Sequence, residues 1–100
     1  MELEFTFRNL EATDAIKSWA QRRFKKVEKH LLEPTSAHLT LTVDKFRHRA
    51  ELTVHAAGEI LHAQEETDDM YQTLDKVAEK MEGAAQRHKE KLLANRRPHS

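Results

Sequence analysis

Apolar and polar residues alternate from the start of the chain. Leu3, Phe5 and Phe7 are interleaved with Glu2, Glu4, Thr6 and Arg8. A period of two predicts a strand with one buried face. Residues 9–12 read as a turn, and Thr13 or Asp14 is placed to cap a helix, Asp14 suiting its positive N-terminus. The period then changes. Ile16, Trp19, Ala20, Phe24, Val27 and Leu31 form a helical stripe, which predicts a first helix over about residues 13–32. Glu33 and Pro34 are expected to end it, because a residue before proline avoids the helical region.

Three more alternating runs follow: Ala37, Leu39, Leu41 and Val43; Ala50, Leu52, Val54 and Ala56; and the shorter Leu61 and Ala63. Asp44 and Lys45 mark one turn, and Ala57, Gly58 and Glu59 the next. Such short connections imply an antiparallel meander. Residues 65–68 are expected to lead into a second helix over 69–92, with Thr67, Asp68 or Asp69 as its cap. Its apolar arc is Met70, Leu74, Val77, Ala78, Met81, Ala85, His88 and Leu92. The order is βαβββα, an α+β fold. Every strand has one apolar face and each helix one stripe, so the helices should pack side by side on one face of a four-stranded sheet. A parallel pairing of the first two strands would make the crossover right-handed. Residues 1–95 read as one domain and 96–100 as a flexible C-terminal tail.

Charge sharpens this outline. The chain has 17 basic and 17 acidic side chains and no net charge. A neutral total argues against a polyanionic partner, but the distribution argues for one. Over residues 17–29, Lys17, Arg22, Arg23, Lys25, Lys26 and Lys29 stand against Glu28 alone. On the second helix Lys76, Lys80, Arg87 and Lys91 fall on one flank of the apolar arc, while Asp75, Glu79, Glu82 and Glu90 fall on the far side. The sorting suggests two cationic flanks meeting over a groove that holds phosphates. The plainer reading is a solvated face with charge pairs one helical turn apart.

Other chemistry has little support. Without cysteine there is no disulfide, thiolate nucleophile or cysteine-based zinc site, a composition that fits a reducing cytoplasm. Two glycines are too few for a phosphate-binding loop. The serines lack the setting of a nucleophile. His38, His55 and His62 fall on the outer sheet face without metal-ligand spacing, so no metal site is expected. His88 lies on the apolar arc and reads as a core-edge histidine with a hydrogen-bond partner. Trp19 and Tyr71 have rings able to stack on bases, but both fit helical packing. No apolar run approaches the roughly 18 residues of a membrane span, and the first residues do not resemble a signal peptide. Neither catalysis nor a cofactor is expected.

The run from the last strand into the second helix, LHAQEETDDMYQTLDKVAEKM, carries a resemblance. Its Asp-Asp-Met-Tyr segment with Leu74 and Asp75, the Arg87 to Lys91 cluster RHKEK, and the basic helix RRFKKVEKHL together resemble the ribosome hibernation-promoting factor family, in its short form. The resemblance implies a non-enzymatic, cytoplasmic stress and stationary-phase protein, monomeric when free. It would bind small-subunit rRNA, compete with mRNA and tRNA, and need no small-molecule substrate or membrane. Carried over by position, the rRNA-binding residues are Arg22, Arg23, Lys26 and Lys29 on the first helix, and Lys76, Lys80, Arg87, Lys89 and Lys91 on the second. Asp69 and Tyr71 match family positions but read as cap and packing. Gly83 and Ala84 depart from the family, where many members carry a basic or polar pair. A lost phosphate contact and a weak point in the helix are expected there. The alternatives are a double-stranded-RNA-binding-like domain and a protein-interaction module using an open sheet edge.

Overall fold

The computed structural model describes residues 1–32 and 36–96. Six elements follow in order: β1 (Glu2–Arg8), α1 (Asp14–Lys29), β2 (Ser36–Asp44), β3 (Arg47–Ala56), β4 (Glu59–Thr67) and α2 (Met70–Arg96). The sheet order is β1-β2-β3-β4. β1 and β2 pair in parallel, from Glu2 opposite Ser36 to Arg8 opposite Thr42, with α1 as the crossover. β2, β3 and β4 form the antiparallel meander. The βαβββα order and the four-stranded sheet agree with the alternation in the sequence.

Each strand turns its alternating apolar residues to the helices, although Ile60 of β4 is exposed on the outer face. Leu39, Leu41, Leu52 and Val54 are fully buried against Phe24 and Val27 of α1 and Leu74, Val77 and Met81 of α2. α2 packs over β3 and β4 and beside α1. α1 lies toward β1: the Met1 ammonium is 2.7 Å from Glu28, and Lys17 sits over the Phe7 ring. The helices run parallel, because Trp19 meets Tyr71 and Arg23, one turn on, reaches Asp75 and Glu82.

Asp44 and Glu59, expected in turns, end β2 and begin β4, and three larger boundary differences each have a local reason. α1 stops at Lys29, before the proline. The His30 and Leu31 amides bond to the carbonyls of Val27 and Glu28, tightening the last turn, and Leu31 is buried. Glu33 and Pro34 lie outside the described residues. β4 extends to Thr67, past its apolar run. Glu65 and Thr67 occupy helix-facing positions, where Glu65 meets Lys80 and the Thr67 hydroxyl bonds that of Thr73. α2 continues to Arg96, past residue 92 and into the segment expected as tail; residues 97–100 lie outside the description.

The caps lie within the expected sets. Thr13 accepts a hydrogen bond from the Ile16 amide, and Asp69 accepts one from the Tyr71 amide. Gly83 does not interrupt α2, which runs through it as continuous helix. The β2–β3 turn consists of Lys45 and Phe46. Lys45 has φ 58°, a left-handed conformation, and Phe46 is exposed.

Candidate nucleic-acid interface

The cations of α1 follow from its stripe. Arg22, Lys25, Lys26 and Lys29 project from the solvent side and are exposed. Among the described residues none of the four is ion-paired; Arg22 is tied only by its Nε to the Ser18 carbonyl, at 3.4 Å. Lys25 belongs to this surface as much as the others, although it was not among the expected site residues. It stands one turn from Lys29 on the same face, a spacing the sequence already carries.

Arg23 behaves differently. It sits at the edge of the apolar stripe, its side chain 22% exposed, and turns toward α2. Its Nη1 donates to Glu82, and its Nε lies 3.5 Å from Asp75. Arg23 is a strut between the helices rather than a free cation.

The α2 stripe is real but faces away from α1. Lys80 reaches over the β4 edge, 3.5 Å from Glu65 and 3.4 Å from the Gln64 carbonyl. Lys76 lines the same trough, and Arg87 and Lys91 line the next one along, with Glu59 and Leu61 of β4. The flank toward α1 carries Asp75 and Glu82. The expected groove, with both cationic flanks meeting, is therefore not present. Two cationic tracks lie on either side of an acidic seam instead. Helical periodicity sorts residues around an axis, but it does not say which flank turns toward the neighbouring helix. Asp75 and Glu82, two turns apart beside the apolar arc, are the matching set for Arg23, and that match was the available signal. Lys89 is about 200° around the helix from Arg87. It is half-buried and off the stripe.

The rest of the surface is mostly satisfied by its own partners. His88 is buried, its Nδ1 2.6 Å from Glu59, as its place on the apolar arc suggested. Arg47 and Arg49 both bond to Glu66 on the outer sheet face. There too, Thr53 stands between His38 and His62 in register, so those two rings are two strands apart. His38 bonds to Thr6 and His62 to Thr53. Among the described residues no three histidine or carboxylate side chains converge as a metal site would require. None of the described helices is long and apolar enough to cross a membrane.

A two-layer βαβββα domain with unpaired cations on both helices defines a class of small α+β proteins whose exposed chemistry is suited to a polyanion. The comparisons make this specific. The chain belongs to the family described as sigma 54 modulation protein / S30EA ribosomal protein, whose model matches residues 3–93. It is 33% identical over 92 residues to the ribosome hibernation promoting factor of Salmonella typhimurium, covering 92% of this chain and 97% of that one. The protein of the same name from Escherichia coli K12 is 32% identical with the same coverage. Among solved structures, the N-terminal domain of Thermus thermophilus Protein Y superposes with a TM-score of 0.81 at 24% identity, over 88% of this chain and 99% of that one. A ribosomal subunit interface protein from Coxiella burnetii gives 0.78 at 23% identity, over 90% and 99%. These two likenesses bear on the fold.

Proposed function

We propose that the protein is a ribosome hibernation factor. It binds small-subunit rRNA in the channel that holds mRNA and tRNA, and it silences translation under stress by occupying that channel. The observation that carries this reading is the state of the cations. Of the nine expected rRNA-binding residues, only Arg23 and Lys80 form ion pairs among the described residues. The other seven, Arg22, Lys26, Lys29, Lys76, Arg87, Lys91 and the half-buried Lys89, form no ion pair among the described residues, in a chain with as many carboxylates as cations. Unneutralised positive tracks on rigid helices suit phosphates, whose condensed counterions are released on binding.

The mechanism is steric. Phosphate contacts supply affinity and the shape of the two helices supplies the register, with little reading of base edges. Family membership supports the ribosome as partner. The protein acts as a cytoplasmic monomer and uses no cofactor.

Sedimentation with purified small subunits tests the proposal. Arg87→Ala with Lys91→Ala removes two free cations from α2 and disturbs no described ion pair. This variant should bind more weakly than wild type. Its plot of log affinity against log salt should flatten by about one unit per lost contact. Prior occupancy by tRNA should exclude the wild-type protein. Undiminished co-sedimentation of the double variant across a salt series would refute the phosphate-track mechanism.

A further inference from the structure

At one end the acidic seam gives way to aromatic rings. Near the start of the interhelical cleft, Trp19 turns toward α2 and meets the Tyr71 ring edge-on, with centroids 5.2 Å apart and planes at 75°. Beside it lies a recess of about 260 Å³, lined by Trp19, Arg22, Arg23 and Lys26. Its wall is indole surface and the stems of three cationic side chains. Arg23 is fixed by Glu82 and Asp75, whereas Arg22 and Lys26 form no ion pair among the described residues. Trp19 is half-buried, and its Nε1 is shielded from solvent without a hydrogen-bond acceptor among the described residues.

We infer that this recess binds one unpaired nucleotide of RNA, its base against Trp19 and its phosphate between Arg22 and Lys26. The inference rests on the RNA-binding reading above and adds a site to it. An aromatic face beside cations is the arrangement that holds single-stranded bases, through stacking and cation–π attraction. Arg22 and Lys26 are one helical turn apart, so both can reach one phosphate group. The volume falls just below that of pockets for drug-sized ligands, which suits one ring system. Paired bases hide their faces in the helical stack, so a duplex cannot enter. The site therefore selects a splayed-out nucleotide, which the phosphate tracks alone do not.

Trp19 is the only tryptophan in the chain, so its emission reports the recess directly. The protein is titrated with a short single-stranded oligoribonucleotide and with an RNA duplex carrying the same number of phosphates. The single strand should change Trp19 emission and the duplex should not. Trp19→Leu should weaken single-strand binding, read by fluorescence anisotropy of a labelled strand, by about 5- to 150-fold, the range for losing one stacked base. Trp19→Phe should restore much of it. Arg22→Ala with Lys26→Ala, at exposed positions that leave the fold intact, should abolish the emission change. Three results would overturn the site: single strands bind without altering Trp19 emission, the duplex alters it equally, or folded Trp19→Leu binds single strands as wild type does. Sedimentation of wild type with small subunits is scored separately. Binding there alongside a silent Trp19 sinks the recess and spares the ribosome reading, and a responsive Trp19 without subunit binding does the reverse.

Discussion

Arg22 and Arg23 are one residue apart on α1, and about 100° of rotation gives them different neighbours. Arg22 points to solvent, while Arg23 joins the helices through Asp75 and Glu82. Their substitutions should therefore separate binding from stability. Arg23→Ala leaves Asp75 and Glu82, two turns apart on α2, without their shared cation, and should cost about 1–2 kcal/mol, between the values for exposed and buried pairs. Arg22→Ala should stay within about 0.5 kcal/mol of wild type, as surface changes usually do, yet weaken small-subunit binding. Thermal melts followed by circular dichroism, beside sedimentation, check both; equal melting temperatures for the two variants would show that Arg23 is no strut. At this scale the sequence is informative about residues whose role is local. Thr13 and Asp69 stand among two and three candidate caps, and His88 as a partnered core-edge residue could be read from position. Glu59 and Glu65 could not. Their partners lie on α2, far along the chain, and their charge on a strand's inner face looks like the end of the strand.

Among the elements, α2 differs most from its sequence description. Periodicity identified its apolar arc and its cationic stripe, but not the side to which the stripe turns. Gly83 was expected to weaken the helix, and α2 passes through it unbroken. A Cβ built on Gly83 would come no closer than 3.4 Å to Arg87 Nη1, the far end of a flexible side chain. Gly83→Ala should therefore recover about 1 kcal/mol of helix propensity. In a domain of this size that raises the melting temperature by about 4–8 °C. A lower melting temperature would mean that Arg87 cannot yield the space. β4 gives the complementary lesson. Its length was underestimated because Glu65 and Thr67 break the apolar alternation, and each is accommodated by a polar partner on α2.

For the whole molecule, net charge was the poorest guide. Zero overall conceals two cationic tracks and the seam between them, because opposite charges are partitioned by segment on α1 and by face on α2. The fold was legible because strand alternation, helical stripes and short turns all favoured one layered arrangement. The parallel pairing of β1 with β2 has a further consequence, in the order of folding. β2, β3 and β4 are joined by two-residue turns, so their contacts are local and can form early. β1 reaches its place only across the whole of α1, which means closing a long loop for an edge strand. Phe5 on β1 should therefore contribute little to the folding transition state, and Leu52 on β3 much more. In stopped-flow refolding, Phe5→Ala should chiefly speed unfolding, while Leu52→Ala should chiefly slow folding. The reverse pattern would place β1 in the nucleus. On the expected order the chain start is the last part secured, when the Met1 ammonium reaches Glu28.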